Sequence, residues 1–261
     1  MFLSVFDMFK VGIGPSSSHT MGPMVAAARF LDVLRGSPFA AAGLQASLHG
    51  SLAFTGVGHA TDRATILGLA GFEPDSYDHD KAEAALADIR STHSVAPPGL
   101  PRLVFDPKND LQFDFGPNLP GHPNGMILKA TDAQGDVILQ ETYYSVGGGF
   151  VMTEAELAED GSENTAADVP YPFTTAADML RMAETSGKTI AQLKHANEIA
   201  CAGQDEVRSG VARLWQVMSD CIDRGLAHDG ILPGGLQVKR RAKGIHDALM
   251  AERGMNLAPP H

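Results

Sequence analysis

The chain has few of the residues that support disulfide-rich or membrane structures. Only 2 of its 261 residues are cysteines, and Cys201 and Cys221 form no Cys-x-x-Cys pair. We therefore expect no disulfide framework and a reducing, cytoplasmic setting. No apolar run approaches the roughly 20 residues that a membrane-spanning helix needs, so no membrane is expected as a partner. The first ten residues are apolar but lack a basic segment, which predicts a buried strand or turn rather than a signal peptide.

An excess of positive charge is also absent. The chain has 20 Lys and Arg residues against 31 Asp and Glu residues, for a formal net charge of −11. This balance argues against nucleic acid or an anionic surface as a partner. Phosphate-loop, dinucleotide and HExxH motifs are missing. Two thiols at this spacing do not make a metal cluster. Cys221 falls on the apolar stripe of a predicted helix, so we predict it to be buried, while Cys201 lies near a helix end and is predicted to be partly exposed.

Periodicity divides the chain into a mixed part and a helical part. In the mixed part, helical spacing predicts helices over 21–34, 64–70 and 81–90. Short runs of β-branched and aromatic residues predict strands over 44–48, 102–105, 111–115, 126–130 and 137–144. The last two strands flank a turn that indicates a hairpin. We therefore predict an α+β fold whose N-terminal domain has a mainly antiparallel sheet.

The second part is predicted to be all-α. Residues 159–169 are polar and aperiodic, and Pro170-Tyr171-Pro172 prevents a helix from continuing. Helices are predicted beyond this point over 175–185, 189–202, 205–224 and 239–252. The apolar stripe along 205–224 is the strongest helical signal in the chain. The predicted organisation is an N-terminal domain over 1–157, a linker over 158–174 and an all-α segment over 175–261.

The first candidate site is the segment GIGPSSSHTMGP, from Gly12 to Pro23. It places three serines, an imidazole and a threonine between a glycine-rich turn and a predicted helix. Free N–H groups, hydroxyls and the helix dipole at such a start favour a small anion, such as a carboxylate or phosphate. His19 adds a group that can change its charge near neutral pH. A serine-rich loop that only caps the helix would have the same composition.

A second glycine-rich segment, from His49 to Asp62, follows a predicted strand and leads into a helix. Its glycines allow the backbone to approach a ligand closely. His59 would lie at the positive end of the helix, where the neutral imidazole is favoured and can act as a base. A histidine that only packs against the turn remains the alternative.

Two further loops carry weaker signals. The segment Tyr143–Phe150 places Gly147, Gly148 and Gly149 after a strand, where exposed N–H groups could hold a carboxylate or oxyanion. A turn or β-bulge would have a similar sequence. Residues 118–125 contain His122 among Pro and Gly residues, which indicates a surface turn more than a ligand site.

A longer set of motifs surrounds these loops. It begins with FDMFKVGIGPSSSHT at residues 6–20 and continues at 50–62, 118–126, 143–150, 170–173, 215–225 and 232–234. In this order the motifs resemble the bacterial iron–sulfur L-serine dehydratases (L-serine ammonia-lyases) over essentially the whole chain. By the same resemblance, the N-terminal part is a serine dehydratase β domain. That domain is similar to the anion-binding, allosteric substrate-binding domain of some phosphoglycerate dehydrogenases.

The resemblance implies an enzyme that converts L-serine into pyruvate and ammonia by β-elimination of water, without pyridoxal phosphate. In this family a 4Fe–4S cluster on three cysteines of an α domain acts as a Lewis acid, and the β domain supplies substrate-binding loops. His59 and His19 are the two candidates for proton transfer, and the sequence does not decide between them. The matching substrate-binding residues are Ser16, Ser17, Ser18, His19, Thr20, Ser145, Gly147, Gly148 and Gly149.

The chain departs from the family pattern in the α domain. The cysteine-bearing stretches expected there are missing, so we assign no metal ligand to this chain and expect the cluster to need residues from elsewhere. The chain is then a piece of a longer protein, or the cluster half is a separate polypeptide. The apolar stripe along 205–224 would be exposed in either case, which predicts a homo-oligomer.

Two other functions stay open at this stage. One is a non-catalytic regulatory module that binds an amino acid or another small anion. The other is a hydrolase that uses one of Ser16–Ser18 with His19. Neighbouring residues in a loop rarely face each other as nucleophile and base, and no acid is evident to orient the histidine.

Overall fold

The structure, a computed structural model, describes residues 2–159, 168–232 and 237–255. The chain forms two compact units, one of residues 10–163 and one that combines residues 1–9 with residues 164–261. Part of the predicted linker, residues 160–167, lies outside the described residues, as do residues 233–236 and the last six residues of the chain. The predicted domain boundaries stay predictions.

The first unit is built on a seven-stranded sheet. Its order is β2-β3-β1-β5-β6-β7, and β4 also pairs with β1. Pairing is antiparallel except where β1 meets β3 and β4. The α+β class and the mainly antiparallel sheet are therefore confirmed. The strands are β1 (Gly43–His49), β2 (Ser94–Val95), β3 (Leu103–Val104), β4 (Leu111–Asp114), β5 (Gly125–Thr131), β6 (Val137–Gly147) and β7 (Phe150–Thr153).

The core of this unit is formed by the apolar residues that alternate along β1 and those that recur at helical spacing in the helix Gly22–Gly36. Leu44, Ala46 and Leu48 of β1 are buried, in one cluster with apolar residues of the helices. Burial of these side chains fixes the helices on the sheet. Two of the helices begin at the candidate loops. The helices of this unit are α2 (Gly22–Gly36), α3 (Ser51–Phe54), α4 (Thr61–Leu69), α5 (His79–Thr92) and α6 (Glu154–Glu159).

The second unit is helical. Thr175 and Thr189 each form a capping box, which explains why α7 and α8 begin where they do. The buried carboxylate of Glu198 accepts hydrogen bonds from Ser4 Oγ and the Val5 amide, both at 2.7 Å. The helices are α1 (Val5–Met8), α7 (Ala176–Ser186), α8 (Ile190–Ala202), α9 (Gln204–Ala227) and α10 (Ala242–Met255).

The expected buried strand or turn at the N-terminus was wrong. Residues Val5–Met8 form a helix instead, because Ser4 and Asp7 make a capping box that satisfies the first amides. The predicted helices and all five predicted strands are confirmed to within a few residues, while β2 and β7 were not predicted. No helix in the described ranges has both the length and the apolar character needed to cross a bilayer.

The apolar stripe of α9 is largely exposed. Trp215 is 67% exposed and Ile222 is 57% exposed. The predicted burial of Cys221 was therefore wrong, while the predicted exposure of Cys201 is confirmed; both cysteines are free. Helical periodicity identifies the apolar face of a helix, but a buried face also needs a partner surface. The described residues of this unit do not supply one for α9.

Candidate functional site

The serine-rich segment forms a π-helical turn that leads into α2. The turn comprises Ser17–Met21, and Ser16 Oγ before it accepts the backbone N–H of His19 at 3.2 Å. Such turns are rare and occur often at functional sites. Within the described residues, the amides of Ser17 and Ser18 have no hydrogen-bond acceptor. They are therefore available to an anion at the positive end of the helix.

Gly22 allows this turn to approach strand β6. A Cβ atom at Gly22 would lie 2.0 Å from Ser145 Oγ and 2.7 Å from Ser145 Cβ. Ser145 is only 3% exposed, and its hydroxyl has no partner in the described part of the chain. Asn124 holds the Ser145 backbone, since its Nδ2 donates to the Ser145 carbonyl and its own carbonyl accepts the Ser145 amide, both at 3.0 Å. The turn and the strand are thus in direct contact.

His59 lies just before α4 with its ring in a defined orientation. The residue after it, Ala60, has left-handed backbone geometry with φ of 55°. His59 Nδ1 is 3.0 Å from the carbonyl oxygen of Thr55. A carbonyl can only accept, so the ring hydrogen is on Nδ1 and the lone pair is on Nε2. The His59 carbonyl accepts the hydroxyl of buried Thr20 at 2.9 Å, which joins the two candidate loops.

His19 lies beside His59, with ring centroids 4.9 Å apart. Its Nδ1 is 2.8 Å from Ser18 Oγ and its Nε2 is 2.9 Å from Ser51 Oγ. Burial lowers the pKa of His19 and its neighbour His59 lowers it further, while hydrogen bonding to Ser51 acts in the opposite direction. The neutral form of His19 therefore predominates near neutral pH.

The three glycines between β6 and β7 form a tight loop next to the π-helical turn. Gly147, Gly148 and Gly149 have φ values of 103°, 61° and 80°, which side chains other than glycine rarely adopt. A Cβ on Gly149 would lie 3.4 Å from the Met21 side chain. The glycine loop is therefore a neighbour of the serine-rich segment.

The structure brings most of the predicted site residues together. Ser16, Ser18, His19, Thr20 and His59 belong to one group of hydrogen-bonded or stacked residues. The Ser17 side chain is exposed. The assigned roles of these residues, and those of Ser145 and of Gly147–Gly149, stay predictions.

One expectation about this segment was wrong. Neighbouring loop residues were not expected to face each other, but Ser18 Oγ and His19 Nδ1 are in hydrogen-bond contact. Adjacent side chains point apart in an α-helix, whereas this turn is π-helical. His122, by contrast, has the turn role that the sequence indicated, since its Nδ1 accepts the amide of Asn124 at 3.1 Å.

No sequence pattern predicted a role for Ser51 or Asn124. Gly50, with φ of 53°, directs the chain from β1 into α3, and the Ser51 amide donates to the Pro123 carbonyl at 2.8 Å. The contact between Ser51 and His19 arises because β1 ends beside the turn, which no local pattern reveals. The sequence feature that could have indicated this contact is Gly50, the glycine at the end of the predicted strand just before Ser51.

An exposed aromatic patch lies close to Ser51 and His59 in sequence and is held together by ring contacts. The rings of Phe54 and Phe115 meet edge to face with centroids 5.3 Å apart, and Phe113 stacks on Phe115 at 6.4 Å. Phe54 is 64% exposed and Phe115 is 61% exposed. Contiguous exposed aromatic surface of this kind is typical of an interaction site.

The described residues do not fit an iron–sulfur cluster. No group of three or more His, Cys, Asp or Glu residues among them is placed to hold a metal ion. A cluster of this type needs several converging thiolates, and this chain contains two cysteines.

Comparison with known proteins identifies the family. A family model described as serine dehydratase beta chain matches residues 4–156. The chain belongs to the serine dehydratase beta chain family. The match covers the serine-rich turn, both histidines and the glycine loop, so the residues described above belong to the part that defines this family.

Individual relatives extend the similarity over nearly the whole chain. L-serine dehydratase of Streptomyces coelicolor is 42% identical over 254 residues, which are 97% of this chain and 56% of the relative. L-serine dehydratase 1 of Escherichia coli is 39% identical over 260 residues, which are 98% of this chain and 56% of the relative. L-serine dehydratase of Mycobacterium bovis is 40% identical over 256 residues, with coverages of 97% and 54%. The chain spans about half the length of the curated relatives it matches.

The Gly22 contact gives a direct test of this packing. Gly22→Ala should lower the free energy of unfolding by about 1–3 kcal/mol, because the new methyl group collides with Ser145. Gly36→Ala, in the same helix but with no atom within 4 Å of the added Cβ, is the control and should be neutral or stabilising. Adding Ser145→Gly to Gly22→Ala should recover part of the loss. Thermal unfolding that shows equal stability for the two alanine variants would contradict the packing.

Proposed function

We propose that this chain is the substrate-binding half of an L-serine dehydratase, which converts L-serine into pyruvate and ammonia. The main observation behind this proposal is the pair of imidazoles, with ring centroids 4.9 Å apart, next to the amides of Ser17 and Ser18, which have no acceptor among the described residues. An anion site beside two titratable rings suits a reaction that removes a proton from an amino acid. The three relatives described above are all L-serine dehydratases, which supports this substrate.

In this proposal the π-helical turn binds the charged groups of the substrate. The Ser17 and Ser18 amides donate to the carboxylate, and the helix dipole adds to the attraction. Hydroxyl oxygens of Ser16, Ser17 and Ser18 accept hydrogen bonds from the ammonium group. The hydroxyl of Thr20 is already bonded to the His59 carbonyl, so Thr20 contributes by holding His59. Amides of the Gly147–Gly149 loop provide further donors.

We assign proton abstraction to His59. Its Nδ1–H is bonded to the Thr55 carbonyl, and its Nε2 has no partner in the described part of the chain. Both ring nitrogens of His19 are within hydrogen-bond distance of serine hydroxyls. Among the described residues, His59 Nε2 thus has the only free lone pair of the two rings, and it takes the proton from Cα. Loss of the Cβ hydroxide then gives an enamine, which tautomerises and hydrolyses to pyruvate and ammonia.

The 4Fe–4S cluster that the resemblance implies would be bound by residues outside this chain. The described residues do not fit it, so we assign no step of the mechanism to a group bound here. The two free, exposed thiols favour a reducing, cytoplasmic setting.

The proposal is tested by joining this chain to the portion of a relative that it does not match. After anaerobic cluster reconstitution, the joined protein should form pyruvate from L-serine, and His59→Ala should lower kcat by about 10²-fold or more. His79→Ala, in the same unit but on the exposed start of α5, is the matched control and should retain activity. A loss of only a few-fold in His59→Ala would remove His59 from the role of base. Absence of pyruvate from the joined wild-type protein would overturn the proposed function.

We also propose that the exposed apolar face of α9 is covered by other protein. Without that protein, the isolated chain should self-associate, because Trp215, Ile222 and Val211 present a continuous apolar stripe. Trp215→Glu should shift the chain toward the monomer in light-scattering measurements. Ser209→Glu, on the opposite side of α9, adds the same charge and should leave the oligomeric state unchanged. A wild-type chain that is monomeric at all concentrations would contradict this proposal.

A further inference from the structure

The hydrogen bonds around His19 form a chain with a defined direction. It starts at the His19 backbone N–H, which can only donate and does so to Ser16 Oγ. Ser16 Oγ lies 3.4 Å from Ser18 Oγ, which lies 2.8 Å from His19 Nδ1. In one direction, Ser16 Oγ accepts from the His19 amide and donates to Ser18 Oγ, and Ser18 Oγ donates to His19 Nδ1. Each of these hydrogens then has an acceptor, and the successive bonds strengthen one another.

This direction determines the tautomer of His19. With Ser18 as the donor to Nδ1, the ring hydrogen is on Nε2, which is 2.9 Å from Ser51 Oγ. The reverse direction would leave the Ser16 hydroxyl hydrogen without a partner in the described residues.

We propose that Ser51 is a positioning residue that holds His19 as the Nε2–H tautomer, opposite to the Nδ1–H tautomer of His59. The two rings then differ in function although they lie side by side. His19 uses its lone pair to orient the Ser18 hydroxyl, whose oxygen is left to accept from the substrate ammonium. The lone pair of His59 stays free for proton abstraction. The catalytic role of this difference rests on the proposed function. The tautomers themselves can be measured in this chain without any enzyme activity.

The first test is long-range ¹H–¹⁵N NMR of the histidine rings in this chain at about pH 8, above the ordinary histidine pKa of ~6.5. Variants His19→Gln and His59→Gln assign the signals among the 10 histidines. We expect the ring hydrogen on Nε2 in His19 and on Nδ1 in His59. The same tautomer in both rings, or a hydrogen on Nδ1 of His19, would overturn the proposal.

Variants of Ser51 then test the positioning role. Ser51→Ala should give His19 signals that average two tautomers, and Ser51→Thr, which keeps a hydroxyl, should restore the wild-type pattern. Ser47→Ala is the matched control, because Ser47 Oγ is 2.9 Å from Nε2 of a different histidine, His49. It should change the His49 signals and leave those of His19 unaltered. Unchanged His19 signals in Ser51→Ala would overturn the role of Ser51.

Activity of the joined protein separates this inference from the proposed function. Ser51→Ala should lower kcat by about tenfold or more with little change in KM, as expected when an imidazole loses its orienting partner, and Ser51→Thr should recover much of the loss. A joined wild-type protein that forms no pyruvate, but whose tautomers are as expected, would overturn the proposed function and leave the ring geometry standing. Pyruvate formation that Ser51→Ala leaves at the wild-type rate would overturn the positioning role alone.

Discussion

The candidate site depends on one partly buried hydrogen bond, from the hydroxyl of Thr20 to the carbonyl of His59. Thr20 is 2% exposed, and its Oγ1 also accepts the amide of Ser16. The bond joins two glycine-rich loops that lie 39 residues apart in the sequence. It keeps the His59 ring next to His19 and holds both at the start of α2. Leaving the buried Thr20 hydroxyl without a hydrogen-bond partner would cost free energy. The bond therefore holds the two loops together more firmly than a fully exposed contact would.

Much of the fold could be predicted from local patterns. Alternation identified β1, helical spacing identified α2, and the turn at 132–135 identified the hairpin of β5 and β6. The N-terminal helix was missed because its stability comes from a capping box rather than from periodicity. The burial of Cys221 was wrong because the apolar face of α9 indicates a need for a partner but does not supply it.

The site was predictable as a set of loops but not as a geometry. Composition identified the serine-rich turn and the segment that contains His59, and the resemblance supplied their roles. The contacts of Ser51 with His19 and of Asn124 with Ser145 bring together residues 32 and 21 positions apart. They exist because the ends of β1 and β6 lie beside the start of α2, and no one-dimensional pattern encodes that arrangement.

In the proposed function, the π-helical turn and His59 bind L-serine. The most direct test of this binding is a titration of the isotopically labelled chain with L-serine, followed by amide and ring NMR signals. We predict that the Ser17 and Ser18 amides and the His59 ring shift and saturate with L-serine. D-serine should produce a weaker change, and residues of the opposite sheet face, such as Gln45, should be unaffected. Saturating L-serine that leaves the Ser17, Ser18 and His59 signals unchanged would contradict the account.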